Sequence, residues 1–338
     1  MDMKFRDKNQ AVFLGIRVGF IFLITVIIII FAAYYTLSQN FQTLLANYTI
    51  KLVQAMVAQG VDRVESELAI GRKEAAMSAA FFDTAGTPIP FFPGPDTVRM
   101  VYVTQTQTIA SDGRKQVIND RPDIRAAFGG KIAVYGPYFN ERHEFVICYS
   151  APVIRNGKIR GALSIEKNGY TFCRLIESIR FINTGESYII NAEGTDIAVS
   201  DPRHMEWVTS QYNAKKILSG QEDAVTRSIL ELEQKGLDGE KGIGTYFWKN
   251  GLVYVIYEPI PSVGWVLFGG LREEELAAMT QSVFFTSISG GPTLKICLAV
   301  VLLLTVLIIY WIISSMKKAL KSIKNWKSSP IMTLSPVC

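Results

Sequence analysis

The chain holds two histidines, His143 and His204, far apart in sequence. General-base, nucleophilic and zinc chemistry usually place a histidine near an acid, a hydroxyl or a thiol. His143 lies in Asn140-Glu141-Arg142-His143-Glu144, a composition that suits a hairpin tip. His204 follows Asp201-Pro202-Arg203, which suits a loop, and Asp201 reads as a solvated loop acid there. H-E-x-x-H, paired C-x-x-C, a phosphate-binding glycine loop and a G-x-S-x-G elbow are all missing from the sequence. Cys297 sits in an apolar run and Cys338 is the last residue. Cys148 and Cys173 read as free buried thiols, with a bridge between them left open. The expectation is a protein that is not an enzyme, with no catalytic residue, metal site or cofactor.

Two charge-free apolar runs bracket a polar middle, Val18 to Tyr35 and Ile296 to Ile313. With their uncharged flanks, each reaches the about 20 residues that a helix needs to cross a bilayer. Lys4, Arg6, Lys8 and Arg17 precede the first run. Lys317, Lys318, Lys321, Lys324 and Lys327 follow the second, with only Asp2 and Asp7 opposing them on the two tails. Positive flanks stay cytoplasmic, so both termini face the cytoplasm and the middle lies outside. The formal net charge of +5 is therefore a topology signal carried by the tails, and it gives no reason to expect a nucleic-acid partner. The first run exceeds a signal-peptide core and lacks a nearby small-residue cleavage site, so it reads as an uncleaved anchor.

Between the runs, Phe41, Leu45, Tyr48 and Leu52, then Val57, Val61, Val64 and Leu68, recur at helical spacing. This predicts one long helix continuing the first span outward. Its stripe either packs on its own domain or forms the seam of a homodimer. Gly86, Pro88, Pro90, Pro93, Gly94 and Pro95 then mark a loop. Period-two strands follow at Arg99–Gln105, Lys131–Tyr138, Glu144–Ile154 and Lys158–Glu166, with a short helix at Ile124–Gly129 and an Asn156-Gly157 hairpin. A helix at Tyr170–Ile182 leads to strands at Ser187–Ala192 and Asp196–Ser200, and a mostly polar helical stretch covers Asn213–Lys235. A hairpin through Asn250-Gly251 and a strand at Val263–Leu271 close a second unit like the first. Arg272–Thr286 reads as a helix, and Gly290-Gly291-Pro292 as a hinge before the second span.

The stretches PYFNERHEFVICYSAPVIRNGKIRGALSIE, GESYIINAEGTDIAVSD and GTYFWKNGLVYVIYEPIPSVGWVLFGGL together resemble the double Cache (dCache) sensor domain. The resemblance covers about residues 41–279. It implies an α+β fold, with a long N-terminal helix and two PAS-like mixed-sheet modules flanked by two transmembrane helices. The corresponding organisation is a cytoplasmic tail (1–17), a first span (18–37), the long helix (38–80), a membrane-distal module (81–175) and a membrane-proximal module (176–279). A connecting segment (280–295), a second span (296–316) and a short cytoplasmic tail (317–338) complete it.

Some dCache members bind amino acids through an arginine, an aromatic pair, a strand tyrosine and a late aspartate. Here Arg121 stands at the arginine position, Tyr138 at the tyrosine and Glu166 at the aspartate. Asp123 and Ile124 replace the aromatic pair. By this resemblance Arg121, Tyr138, Glu166 and Asp123 are ligand-binding candidates. Tyr102 and Tyr149 join them as residues that either line the pocket or fill the core. An arginine fork suits a carboxylate and a facing acid suits an ammonium, so a carboxylate-bearing small molecule is an expected ligand. On this reading Arg121→Ala removes ligand-induced stabilisation and leaves the unliganded melting temperature nearly unchanged. The expected role is a two-pass plasma-membrane receptor for chemotaxis or related signal transduction, with the lipid bilayer, a small molecule and a second copy of the chain as partners. The alternative is a ligand-free or partner-binding membrane-tethered scaffold, or a receptor truncated before its output domain.

Overall fold

The structure is a computed structural model describing residues 2–82, 94, 96–112, 120–179, 185–217, 224–248, 251–278 and 292–327. Helix α1 runs unbroken over Asp2–Phe81. From Gly19 onward it includes a window long and apolar enough to cross a membrane. The last helix, α7, spans Pro292–Lys327, and its apolar part, Ala299–Ser315, is shorter than a full span. Contacts divide the chain into Tyr48–Leu276 and a second unit of Met1–Asn47 with Ala277–Cys338. Gly290 and Gly291 of the expected hinge lie outside the described residues, as does Asn250 of the second predicted hairpin.

Within Tyr48–Leu276 the apolar stripe of α1 packs on its own unit. Val57, Val64 and Leu68 are fully buried, and Val53 and Val61 nearly so. Each contributes about 1.5–3 kcal/mol of transfer free energy. Tyr48 and Leu52 of the same predicted stripe are exposed, at 64% and 59%. Two glycines let the helix approach both sheets. A Cβ on Gly71 would run into the Tyr149 ring, and one on Gly60 would lie 2.8 Å from Leu267 Cδ2. Polar ties add to this. The Arg72 guanidinium donates to Ser262 O at 2.8 Å, Ser262 N donates to Glu65 at 2.9 Å, and Lys167 pairs with Glu74 at 2.9 Å.

The first sheet comprises β1 (Thr97–Val103), β2 (Thr108–Ala110), β3 (Ala133–Phe139), β4 (Phe145–Arg155) and β5 (Lys158–Asn168), in the order β2-β1-β5-β4-β3. The second comprises β6 (Glu186–Ile190), β7 (Asp196–Val199), β8 (Gly242–Trp248), β9 (Gly251–Ile260) and β10 (Trp265–Arg272), in the order β7-β6-β10-β9-β8. The two orders are the same pattern, so the repeat expected from the sequence is an architectural one. The expectation of mixed sheets is corrected, because every pairing in both is antiparallel. Short hairpins force neighbours to run antiparallel, and the last strand of each unit returns beside the first. Asn156 (φ 53°) and Gly157 (φ 71°) form the β4–β5 turn in the left-handed conformation that such two-residue loops demand.

Helix α2 (Pro122–Phe128) covers one face of the first sheet, and α3 (Thr171–Glu177) follows β5. Phe172 of α3 is fully buried edge-on to Trp265 of the second sheet, with ring centroids 5.2 Å apart. The described parts of the predicted polar helical stretch are α5 (Ala214–Ile217) and α6 (Ala224–Leu237), and α6 covers the second sheet. The stretch at His204, read as loop in the sequence, is a 3-10 turn (Pro202–His204) that leads into α4 (Met205–Thr209). Asp201 is 2% exposed and caps that turn by accepting from Arg203 N, so it is not the solvated acid expected. His143 lies at an exposed hairpin tip, as its neighbours predict. Cys148 and Cys173 are free and buried.

Candidate functional site

Strand alternation builds the site. Register places Arg99, Val101 and Val103 of β1, Ala162, Ser164 and Glu166 of β5, and Cys148 and Ser150 of β4 on one face of the first sheet. Helix α2 lies over that face. At one end, Ile124 and Ala127 close an apolar cluster with Val101, Val103, Ala110 and Ala162. At the other end, Arg99 and Glu166 of that face meet Arg121 and Asp123 from the start of α2. Strand β3 contributes through an irregularity between Tyr135 and Tyr138, whose register partners are Cys148 and Val146. These two tyrosines, three residues apart, therefore share the covered face, and their ring centroids lie 5.1 Å apart.

Arg121 is the residue before α2. Pro122 occupies the first helical turn without wasting an N–H, and Asp123 adds favourable negative charge there. The Arg121 fork closes on Asp123, with Nε–Oδ1 and Nη2–Oδ2 both at 2.8 Å. Its Nη1 donates to Tyr138 Oη at 2.9 Å and to Glu166 Oε1 at 3.4 Å, and its Nη2 donates to Ser164 Oγ at 2.6 Å. The guanidinium also lies 5.8 Å from the Tyr135 ring centre. The Ser150 hydroxyl donates to Asp123 Oδ2 at 2.5 Å. Glu166 is fully buried and receives a second fork from Arg99, with Nε–Oε2 and Nη2–Oε1 both at 2.9 Å. Two cations and two anions thus balance under α2.

Burial pushes the Cys148 thiol up to about 12, against the pull of nearby Arg121, so it is neutral at ordinary pH. Burial likewise raises Tyr138 well above the usual phenol range. For Arg121, burial works against the charge, but Cys148, Asp123 and Tyr138 outweigh it and the pKa is raised. Since the Cys148 thiol stays protonated, Asp123 is the partner that keeps this buried guanidinium charged.

Of the six candidates, Arg121, Asp123, Tyr138 and Glu166 converge. Tyr102 and Tyr149 do not join them. They point to the opposite face, where Tyr102 packs on Phe82 with centroids 4.5 Å apart and Tyr149 fills the space beside Gly71. Burial raises the Tyr149 pKa. The sequence reading missed Arg99, Ser150, Ser164 and Tyr135. Arg99 carried a usable signal, because it is in phase with Val101 and Val103 and so places a charge on an apolar strand face. Arg121→Ala now also has a stability cost, because the 8%-exposed Arg121 side chain neutralises a fully buried carboxylate.

A second grouping brings Glu186, Asp201 and His204 ligand atoms within 4.8 Å of one another. Two guanidinium bonds from Arg203 occupy Asp201, while His204 Nε2 meets Glu186 at 3.1 Å and its ring stacks on Trp207. Arg203 already supplies the positive charge that a metal ion would bring, so the donor set does not fit one well.

No protein-family model and no curated protein sequence matches the chain. Solved structures do match its fold. The extracellular domain assigned to a histidine kinase, mmHK1S-Z2, superposes with a TM-score of 0.51 at 17% identity, covering 69% of this chain and 99% of that one. The ligand-binding domain of the Campylobacter jejuni chemoreceptor Tlp3, solved with 4-methylisoleucine, gives 0.50 at 13% identity over 69% and 94%. That of the Pseudomonas aeruginosa PAO1 amino acid chemoreceptor PctB, solved with L-Arg, gives 0.50 at 14% over 67% and 95%. Two sheets of one strand order along a single long helix, matched to these extracellular domains, identify the fold as that of the double Cache sensor domains.

Proposed function

We propose that this chain is a two-pass membrane receptor that binds a zwitterionic small molecule, of the amino-acid kind, beneath α2 and passes the resulting change inward. The observation behind this reading is the balanced cluster of Arg99, Arg121, Asp123 and Glu166, buried between α2 and the first sheet. A ligand bearing one net charge would upset that balance in a poorly solvated place. A zwitterion keeps it, with its carboxylate entering the Arg121 fork and its ammonium taking up Asp123 or Glu166. Tyr135 and Tyr138 supply an aromatic wall in place of the aromatic pair that the sequence lacks. Tlp3 and PctB, solved with 4-methylisoleucine and L-Arg, share the fold and lend the ligand class support.

The role is recognition, not catalysis. Asp123 acts as an internal stand-in for the ligand carboxylate, and its displacement would loosen the start of α2. The Lys/Arg distribution supports cytoplasmic termini and an external sensor unit. The exposed Tyr48 and Leu52 face offers a seam for a second copy. The test is a thermal-shift screen of the full chain in lipid nanodiscs against zwitterionic amino acids and, separately, simple carboxylates and amines. A zwitterion at about a hundred times its dissociation constant adds about 2.7 kcal/mol of stability. A screen in which none of the compounds shifts the transition would favour the partner-binding scaffold.

A further inference from the structure

The second sheet repeats the strand order of the first, and α6 covers it as α2 covers the first. Its covered face carries buried carboxyl groups too, but there they have no counterion. Asp196 opens β7 in register with Ile190, whose neighbours on that face are Val266, Phe268, Val255 and Tyr257. Glu233 sits on α6 beside Leu232, on the side turned to the sheet. That packing is close, since a Cβ on Gly236 would lie 2.6 Å from Val266 Cγ1. Asp196 is 5% exposed and Glu233 7%. Among the described residues neither side chain makes a hydrogen bond or an ion pair.

The nearby bases are engaged elsewhere or exposed. Lys235 pairs with Glu231 at 2.8 Å, Lys241 lies 3.7 Å from Glu258, and Arg272 is exposed at the end of β10. The groups that sense the two acids are tyrosines. Tyr188 and Tyr246 pack on this face and Asp196 N donates to Tyr212 O at 2.8 Å, and burial, with the nearby acids adding to it, raises all three phenols. The Tyr188 ring stacks on Phe268, with centroids 4.8 Å apart and planes 10° from parallel. Burial, then the nearby Glu233 charge, pushes Asp196 up to about 8, and burial pushes Glu233 up to about 7.

We propose that the α6-covered face of the second sheet is a binding site for a small organic ammonium, held by Asp196 and Glu233 between tyrosine rings. Two unpaired carboxylates demand positive charge once ionised. Calcium takes 6–8 oxygens, with carboxylates and carbonyls prominent among them, whereas the wall around the two acids is Val253, Val255, Val266 and Phe268 with tyrosine rings. Aromatic and apolar walls around two acids suit an ammonium with a hydrocarbon body. The site is separate from the first-sheet cluster and independent of what occupies it.

The test uses the full chain in nanodiscs with 1,4-diaminobutane and benzylammonium as probes, against calcium chloride and sodium chloride at matched ionic strength. At about pH 8 and about a hundred times its dissociation constant, an amine should raise the unfolding midpoint by roughly 5–10 °C. The shift should shrink toward about pH 6, because protonated acids do not attract the cation. Asp196→Asn and Glu233→Gln, which mimic the protonated acids, should lose it, while Glu231→Gln at the exposed Lys235 pair should keep it. Titration calorimetry of the unmodified protein in buffers of different ionisation enthalpy should show net proton release on amine binding. The proposal is overturned if neither amine shifts the midpoint, if the neutral variants keep the shift, if calcium produces an equal one, or if binding releases no protons.

Discussion

Arg121→Met, Asp123→Leu and the double substitution form a cycle that tests whether the cluster under α2 is held by charge balance. The Arg121 and Asp123 side chains are 8% and 0% exposed and share two 2.8 Å bonds. Removing one partner of a buried pair costs about 3–5 kcal/mol, because the other charge stays behind. At about 2–4 °C per kcal/mol for a unit of this length, each single change should lower the melting temperature by roughly 6–20 °C. Arg121→Met should be the worse of the two. Among the described residues it leaves Asp123 with the Ser150 hydroxyl alone, whereas Asp123→Leu leaves Arg121 with Tyr138, Ser164 and Glu166. Damage from Arg121→Met should ease as pH falls, since an unpaired buried carboxyl takes up a proton in the folded state and then needs no cation. The double variant restores neutrality, so its loss should fall short of the sum by about 1–3 kcal/mol. Thermal and urea unfolding of all four proteins in nanodiscs provide the numbers. Additive losses, or single variants that melt with the parent, would refute charge balance.

Further outcomes follow from other parts of the chain. Gly71→Leu should destabilise by about 1–3 kcal/mol through overpacking against Tyr149, despite the better helix propensity of leucine, and urea unfolding measures it. Asp196 and Glu233 bind protons more tightly folded than unfolded, so their contribution to stability should decline as pH rises from about 4 toward their raised values of about 8 and about 7. A melting-temperature profile of the parent against the Asp196→Asn, Glu233→Gln double variant, which should be flatter, checks the sign. Protease added to intact cells should cut only between the two apolar runs, and cleavage confined to the basic tails would reverse the topology.

Much of the architecture was legible because alternation and turn chemistry are local. Asn156-Gly157 fixed one hairpin, and the spacing of Val57, Val61, Val64 and Leu68 revealed the buried face of α1. Strand β2 was missed because Thr108–Ala110 is too short to show a period. Helix α4 was missed because five residues after Asp201-Pro202 look like a loop. Antiparallel pairing of β1 with β5 is a long-range choice that no local pattern carries. The family motif led to Arg121, Asp123, Tyr138 and Glu166, but not to their partners. Ser150 and Ser164 are unremarkable strand residues until register sets them opposite each other. Tyr135 shares a face with Tyr138 through the β3 irregularity, which strict alternation along the sequence does not reveal. The close fit of Gly60 and Gly71 likewise needs the sheets in place before it can be seen.

Hydrogen–deuterium exchange of the full chain in nanodiscs, with and without a stabilising zwitterionic amino acid, tests most directly whether a small molecule occupies the space beneath α2. Slower exchange should be confined to Pro122–Phe128 and to the parts of β3, β4 and β5 that face it, and it should vanish in Arg121→Lys, which keeps the charge but loses the fork. Unchanged exchange there, or protection that survives Arg121→Lys, would contradict ligand binding at this cluster.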